Sequence, residues 1–99
     1  MFARVSKLQG PPEMMDQAVQ YASENILPRA RQMKGWRGAL NLADRGTGEG
    51  LLITFWDTEE DMRASEDQGA QLRQESADQS GGSVGDVATY EVLVDEMPR

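Results

Sequence analysis

The chain has 99 residues, of which 38% are hydrophobic and 27% charged, a composition typical of one folded domain spanning residues 1–99. Its formal net charge is -7, so its surface repels both the nucleic-acid backbone and anionic membranes. It contains no cysteine and no histidine, which removes disulfides, thiolate nucleophiles, the usual haem ligand and the usual general base. We therefore expect no resident cofactor, no metal site, no nucleic-acid partner and no membrane partner.

The sequence also indicates where the protein is found. No apolar run approaches the roughly 18 residues that a membrane-spanning helix needs. The first ten residues, MFARVSKLQG, lack the basic start and the apolar core of a signal peptide. We expect the protein in the cytoplasm.

The first predicted elements are a strand and a helix. Residues 2–9 alternate in polarity with the period of a strand. Apolar residues then recur at steps of three and four from Met15 to Met33, which predicts a helix with one apolar stripe. Pro28 lies inside this stripe and cannot donate a backbone hydrogen bond, so we expect it to kink or divide the helix.

Two further strands are predicted over residues 36–44 and 51–56, and the glycine-rich segment DRGTGEG lies between them at 44–50. A phosphate-binding loop requires a helix after its glycines and commonly ends in Gly-Lys-Ser/Thr, and neither feature is present here. Glycine supplies the positive φ that tight turns require. The segment is therefore predicted to be a hairpin turn.

The second half of the chain predicts one more helix and one more strand. Thr58, followed by acidic residues, has the pattern of a helix N-cap, and the helix is expected to run to about Asp78. Gly69 weakens the middle of this helix. Residues 87–94 alternate as the last strand. The order β-α-β-β-α-β predicts a ferredoxin-like α+β fold, in which two helices back one face of a four-stranded antiparallel sheet.

Alternation divides the strand residues into two faces of this sheet. One face is almost wholly apolar and is expected to carry the two helices; its members are Ala3, Val5, Trp36, Leu40, Leu42, Leu51, Ile53, Phe55, Tyr90, Val92 and Val94. The opposite face is mixed; its members are Phe2, Arg4, Ser6, Leu8, Arg37, Asn41, Leu52, Thr54, Trp56, Thr89, Glu91 and Leu93. A mixed face fits neither open solvent nor a dry core. We therefore expect a second copy of the chain to cover it, giving a homodimer with a partly enclosed pocket.

Four polar residues of the mixed face and its tryptophan are the candidate ligand-pocket residues: Arg4, Asn41, Thr54, Trp56 and Glu91. A cross-strand ion pair explains Arg4 and Glu91 equally well. A packing role is the more common one for a tryptophan such as Trp56. The acidic cluster at 57–61 lacks the spacing of a calcium loop and is interpreted as a helix cap. No catalytic residue is assigned.

Four stretches carry a resemblance to a known family: ARV at 3–5, ILPRARQMKGWRG at 26–38, DRGTGEGLLITFWDTEEDMRAS at 44–65 and YEV at 90–92. Over nearly its whole length the chain resembles the antibiotic-biosynthesis monooxygenase-like domains of the dimeric α+β barrel superfamily. The resemblance implies two sheets joined across a two-fold axis, with a pocket between the sheet and the helices of each subunit.

The resemblance also implies a choice of activities. The haem-degrading branch relies on a histidine, which this chain lacks. The cofactor-free, quinone-forming monooxygenases place Asn, Trp, Tyr and Arg side chains around a phenolic substrate, and such residues occur here as Asn41, Trp56, Tyr90 and Arg73. Proton removal would then fall to a carboxylate such as Glu91, or to the substrate itself.

Two functional hypotheses follow from the sequence. The first is a cofactor-independent oxygenase of a small aromatic or polyketide-like compound. The second is a non-enzymatic dimeric module, ligand-binding or stress-associated, that uses the same pocket. In both, the expected partners are a second copy of the chain and a small aromatic ligand.

Overall fold

The computed structural model describes residues 1–98. Its four strands form one antiparallel sheet in the order β2-β3-β1-β4; they are β1 (Phe2–Gln9), β2 (Trp36–Ala43), β3 (Glu49–Trp56) and β4 (Ser83–Glu91). A 3₁₀ turn (Pro12–Met14) precedes the helices, which are α1 (Met15–Tyr21), α2 (Leu27–Ala30), α3 (Glu59–Ala64) and α4 (Glu66–Ser80). This architecture confirms the predicted ferredoxin-like α+β fold.

Two features of the described residues concern membrane spans and metal ligands. No helix among residues 1–98 is long and apolar enough to cross a bilayer. The same residues contain no group of three or more acidic side chains placed to hold a metal ion. The cytoplasmic location stays a prediction.

The first helical region is divided just before Pro28. Helix α1 ends at Tyr21, a π-helical turn follows over Ala22–Ile26, and α2 begins at Leu27. A π-helical turn inserts an extra residue into the helical ladder and shifts the hydrogen-bond pairing, so a proline without an N–H is accommodated with the chain still helical. The expected division of this helix is confirmed.

The second helical region consists of two helices that meet at Ser65. As predicted, Thr58 caps the first of them, its hydroxyl oxygen accepting a hydrogen bond from the N–H of Asp61 at 3.0 Å. At the junction the carbonyl of Met62 accepts one bond from the guanidinium of Arg4 at 2.5 Å and another from the Ser65 hydroxyl at 2.7 Å. The Arg4 guanidinium on β1 therefore satisfies a carbonyl at the end of the helix, and this hydrogen bond connects the helix junction to the sheet.

The segment DRGTGEG is a hairpin turn, as predicted. The carboxylate of Asp44 accepts hydrogen bonds from the N–H groups of Gly46 and Thr47. Gly48 has a φ of 79°, and a Cβ at this position would collide with the carbonyl oxygen of Gly10. Only glycine fits there, and the N–H of Gly10 donates to the Gly48 carbonyl at 3.1 Å. The turn therefore docks against the end of β1.

The assignment of the two sheet faces from the sequence was wrong. The helices cover the mixed face, where Arg4, Ser6 and Trp56 are only 3%, 1% and 1% exposed. No helix within residues 1–98 covers the opposite face, which we call the apolar sheet face; it includes Val5, Leu40, Leu42, Ile53, Phe55 and Tyr90. Arg4 of the mixed face donates to the Met62 carbonyl and pairs with Glu66, both on the helices, and the Trp56 indole donates to Thr54 within β3, so this layer does not need to be a dry core.

A β-bulge in β2 explains a second difference. Trp36 pairs with Trp56, but Gly38 pairs with Phe55, so Arg37 is the extra residue in this strand. Gly38 has a φ of 143°, which glycine adopts readily. Strict alternation placed Trp36 with the apolar set, whereas the bulge turns its indole to the helix side, 5.6 Å from that of Trp56 in an edge-to-face contact.

The hydrophobic core between helices and sheet is small. Ile26 and Ala30 of the first helical region pack against Leu72 of α4, and Met33 and Trp36 close the cluster at its edge. All five side chains also border an open space between helices and sheet. The layer that the helices form on the sheet is therefore only partly filled.

Candidate functional site

This open space is a cavity of about 150 Å³ between the sheet and the helices. Strands β1, β2 and β3 form one side, and α1, the π-helical turn, α2 and α4 form the other. A second, smaller cavity of about 90 Å³ adjoins it toward the hairpin turn, and Asn41 lines both. The arrangement agrees with the pocket position that the resemblance implied.

Four of the five candidate residues from the sequence line the cavity: Arg4, Asn41, Thr54 and Trp56. They come from three neighbouring strands, and the register sets Arg4 directly opposite Thr54. Glu91 is exposed at the end of β4 and is not among the lining residues. The structure thus brings four of the candidates together, and their role in binding a ligand stays a prediction.

The residue types that the resemblance implied are only partly brought together. Asn41, Trp56 and Arg73 line the cavity, whereas Tyr90 lies on the apolar sheet face and is 58% exposed. Arg73 enters the cavity from α4, four residues after Gly69. That i, i+4 spacing places both residues on one side of the helix. Because Gly69 was assigned to the side of the helix that faces the sheet, the same spacing could have placed Arg73 there.

Trp56 is held rigidly at the wall of the cavity. Its indole N–H donates to the hydroxyl of Thr54 at 3.0 Å, and the edge-to-face contact with Trp36 fixes the ring from another side. The guanidinium carbon of Arg4 lies 5.7 Å from the centre of the Trp56 ring, within cation–π range. The cavity therefore offers a fixed aromatic surface next to a buried cation.

Arg4, Glu66 and Arg73 form an ion cluster beside the cavity, which we call the Arg4–Glu66–Arg73 cluster. The two carboxylate oxygens of Glu66 lie 2.7 Å from Arg4 Nε and 2.7 Å from Arg73 Nη2. Arg4 and Arg73 are 3% and 8% exposed, whereas the Glu66 side chain is 46% exposed. Two cations share one anion, so the cluster is positive in an acidic protein. Arg4 thus pairs with Glu66 on α4, and the cross-strand pair with Glu91 is not formed.

The hydrogen bonding of Arg4 is incomplete. Nη2 is satisfied by the carbonyl of Met62, but the N–H of Nε is not directed at the nearby Glu66 oxygen. Among the described residues, this buried Nε has no hydrogen-bond partner. Burial is the main cause that lowers the pKa of Arg4, Glu66 opposes the shift and Arg73 adds to it. Arg4 is therefore paired with Glu66 in charge but keeps a buried N–H donor that is not used in a hydrogen bond.

A second polar group ties the helices together away from the cavity lining. The Tyr21 hydroxyl donates to Glu75 at 2.6 Å, and Arg29 donates to the same carboxylate oxygen. The hydrogen bond from Arg29, followed by that from Tyr21, lowers the pKa of Glu75. The bond to Glu75 is in turn the main cause that raises the pKa of Tyr21. This group links α1 and α2 to α4.

No family model matches the chain. Among curated proteins, the uncharacterized protein Rv2557 of Mycobacterium tuberculosis (strain H37Rv) is 29% identical over 83 residues, which cover 84% of this chain and 37% of that protein. The chain therefore spans little more than a third of the length of this relative.

Several solved structures have a similar fold. A monooxygenase from the gene ActVA-Orf6 of Streptomyces coelicolor, in complex with nanaomycin D, has a TM-score of 0.74 at 17% identity, covering 99% of this chain and 92% of that one. A candidate antibiotic biosynthesis monooxygenase of Deinococcus radiodurans has a TM-score of 0.72 at 18% identity, covering 99% and 100%. The haem degrader MhuD of Mycobacterium tuberculosis, with two haems bound, has a TM-score of 0.71 at 16% identity, covering 98% and 100%.

A dimeric ferredoxin-like protein from an uncultured marine organism is also similar, with a TM-score of 0.67 at 8% identity and 98% coverage of both chains. Similarities at identities this low establish a shared fold only, so the activity of this chain has to be argued from its own residues. The chain has the fold of the antibiotic-biosynthesis monooxygenase-like proteins.

Proposed function

We propose that the chain is an antibiotic-biosynthesis monooxygenase-like protein that oxygenates a small aromatic or polyketide-like compound without a resident cofactor. The observation that carries this proposal is the cavity between sheet and helices, in which the Trp56 ring lies 5.7 Å from the Arg4 guanidinium carbon. A core cavity of about 150 Å³ is large enough to admit benzene. One aromatic ring therefore fits this cavity, and a further ring or substituent would point toward the adjoining smaller cavity past Asn41.

The positive cluster suits a phenol that reacts as its anion. Arg4 and Arg73 sit in low-dielectric surroundings, where they would lower the pKa of a bound phenol and hold its oxygen. Trp56 would orient the ring by stacking or edge contact. An electron-rich phenolate held in one orientation is the reactive form for dioxygen.

The reaction balances with dioxygen as the sole co-substrate, as 1-naphthol illustrates. The ring carbon opposite the hydroxyl gains one oxygen atom as a carbonyl, which gives 1,4-naphthoquinone. The second oxygen atom leaves as water, taking the hydroxyl hydrogen and the hydrogen of that ring carbon. The naphthol supplies all the electrons that reduce dioxygen, so no external reductant enters.

A second candidate function is supported by one feature of the cavity. Among residues 1–98, no carboxylate lines it, because Glu91 lies outside and Glu66 contacts the arginines from beside it. A bound phenol would have to lose its proton to solvent through its own ionisation. The alternative is therefore a non-enzymatic module, ligand-binding or stress-associated, that holds an aromatic anion without converting it.

We also infer that the protein is a homodimer in which a second copy covers the apolar sheet face. Leu40, Leu42 and Tyr90 on this face are 41%, 48% and 58% exposed. Monomeric proteins rarely leave a contiguous apolar surface of this kind in water. The similarity to a dimeric ferredoxin-like protein supports the inference. Each copy would then keep its own cavity on the helix side of its sheet.

Oxygen uptake tests the enzymatic proposal. We expect aerobic protein to consume oxygen when 1-naphthol is added and to release the quinone in a one-to-one ratio, measured with an oxygen electrode and by mass spectrometry. Arg4→Gln should slow this consumption strongly if the variant remains folded by circular dichroism. Arg31→Gln, which removes the same charge from an exposed position, is the control.

The outcomes separate the candidates. Quenching of tryptophan fluorescence by 1-naphthol with no oxygen consumption would support the non-enzymatic module. If a panel of phenols changes neither the fluorescence nor the melting temperature, both candidates are contradicted.

A further inference from the structure

Glu66 is the shared counter-ion of both arginines that border the cavity. Each of its carboxylate oxygens is 2.7 Å from one guanidinium. The arginine side chains are almost fully buried, whereas nearly half of the Glu66 side chain is exposed. Glu66 is also the first residue of α4, next to the break at Ser65. The carboxylate can therefore rotate into solvent, while the two cations cannot.

The contact between Glu66 and Arg4 is also imperfect. The Arg4 Nε is buried and without a hydrogen-bond partner among residues 1–98, although a carboxylate oxygen lies 2.7 Å away. Guanidinium groups bind carboxylates best in a planar fork with two parallel N–H···O bonds. An anion approaching from the cavity, in the guanidinium plane, would satisfy donors that Glu66 leaves unused.

We propose that Glu66 is an exchangeable counter-ion, displaced when the anionic group of an aromatic ligand binds Arg4 and Arg73 from the cavity. The site would then select planar aromatic compounds that carry one negative charge at the ring, a carboxylate or an ionised phenol, over neutral compounds of the same shape. This inference rests on the proposed use of the cavity for a small aromatic ligand.

The charge count explains the selectivity. With Glu66 in place, the Arg4–Glu66–Arg73 cluster has a net charge of about +1. If Glu66 stays close when a ligand with one negative charge binds, the ligand brings this net charge to zero. If Glu66 moves into water, the ligand anion takes over a doubly positive site. A neutral ligand can neither neutralise the cluster nor replace the Glu66 carboxylate between the two buried cations.

Benzoate and benzamide are suitable probes, because they are isosteric and differ in charge. Their affinities would be measured by tryptophan fluorescence and calorimetry for the wild type, Glu66→Gln and Asp67→Asn. Asp67 is the exposed neighbour of Glu66, so its variant matches the loss of charge without touching the arginines. We expect Glu66→Gln to bind benzoate about tenfold more tightly, since no internal anion competes, while benzamide affinity changes little. Asp67→Asn should resemble the wild type.

Arg73→Gln gives an independent test with the opposite sign. It leaves Glu66 to neutralise Arg4 alone, so benzoate affinity should fall about tenfold while benzamide affinity stays near the wild-type value. The variant also keeps the hydrogen bond from Arg4 to the Met62 carbonyl. It therefore tests the inference even if Glu66→Gln fails to fold.

The failures can be told apart. If benzoate and benzamide bind the wild type alike and Glu66→Gln or Arg73→Gln leaves their ratio unchanged, the counter-ion inference is wrong and the cavity remains a ligand site. Weaker benzoate binding by Glu66→Gln would also overturn it, because Glu66 would then only position the arginines. If neither probe nor any phenol binds any of the proteins, the proposed function itself is wrong.

Discussion

At the scale of single residues, Gly69 explains how two guanidinium groups reach the same cavity. It lies inside α4, where glycine is about 1 kcal/mol less favourable than alanine. A Cβ at this position would lie 3.1 Å from Arg4 Nη1 and 3.3 Å from Arg73 Nη1. Glycine therefore weakens the helix and in exchange gives both arginines room against its backbone.

Gly69→Ala should stabilise the protein and weaken its anion site. We expect the free energy of unfolding to rise by less than about 1 kcal/mol, because the gain in helix propensity is partly offset by crowding of the guanidinium groups. Benzoate binding should become weaker, since both groups must shift away from the helix. Urea unfolding and fluorescence titration would measure the two effects. Gln71→Ala, at an exposed position of α4, is the control, and unchanged benzoate affinity in Gly69→Ala would contradict the assigned role.

Arg4→Ala tests the cation itself. An anionic ligand should lose about 1.5–3 kcal/mol of binding free energy, the range typical of a charged hydrogen bond, and a neutral ligand much less. The melting temperature should also fall, because the Met62 carbonyl loses its bond from Arg4. If the melting temperature falls and benzoate and benzamide lose the same binding free energy, Arg4 has a structural role only.

At the scale of elements, the bonds of Glu75 connect three helices. Its pKa is kept below the ordinary value of 4.5 first by the hydrogen bond from Arg29 and then by that from Tyr21. A carboxyl group with a lower pKa in the folded state contributes stability at pH values above its unfolded pKa. That contribution is lost as the pH falls through the folded-state pKa.

Glu75→Gln should therefore change how the free energy of unfolding depends on pH in the acidic range. We expect the variant to be less stable than the wild type near neutral pH, and the two to converge as the pH falls below 4.5. The urea midpoint at a series of pH values would measure this. Glu60→Gln, an exposed position of α3, removes the same charge as a control. A constant difference between wild type and Glu75→Gln at every pH would show that the carboxylate charge is irrelevant.

At the scale of the whole molecule, the sheet divides the protein into two unlike sides. On one side the helices enclose a cavity with a buried positive cluster. On the other, no helix of the described residues covers the apolar sheet face, and only at the Phe55 end does the segment from Val92 to Met97 form a groove with it. A second copy placed on this face would remove the apolar surface from water and leave both cavities intact.

Leu40→Glu should convert the proposed homodimer into a monomer, because it would place a charge inside the interface of each copy. Sedimentation of the wild type should give about twice the chain mass of 11.0 kDa, and the variant about the mass of one chain. Val87→Glu is a matched control, since Val87 is 38% exposed against 41% for Leu40 but lies on the helix side of the sheet, opposite Ser6. A monomeric wild type would contradict the homodimer, and a dimeric Leu40→Glu variant would show that the two copies meet elsewhere.

The sequence predicted features that depend on neighbours along the chain. The glycines of the 44–50 turn and the cap at Thr58 report local geometry, and the structure has both as predicted. The helix predicted from the periodicity of Met15–Met33 is also present, but it ends at Ala30. The last strand was displaced: residues 87–94 were predicted, but β4 is Ser83–Glu91. Its first residues, SVGD, have no clear alternation, and pairing with the end of β1 recruits them into the sheet.

Alternation grouped the strand residues by face except at the β2 bulge, where it misplaced Trp36, and so it brought together four of the residues that line the cavity: Arg4, Asn41, Thr54 and Trp56. It did not determine which face the helices cover, because the period of a strand is the same for both faces. Tertiary packing decided that point: the helices supply Arg4 with the Met62 carbonyl and the Glu66 carboxylate as partners. Tertiary packing also brought Glu66, from a helix 62 residues after Arg4 in sequence, within 2.7 Å of it. A pairing across that separation depends on how the helices dock on the sheet, which no local pattern encodes.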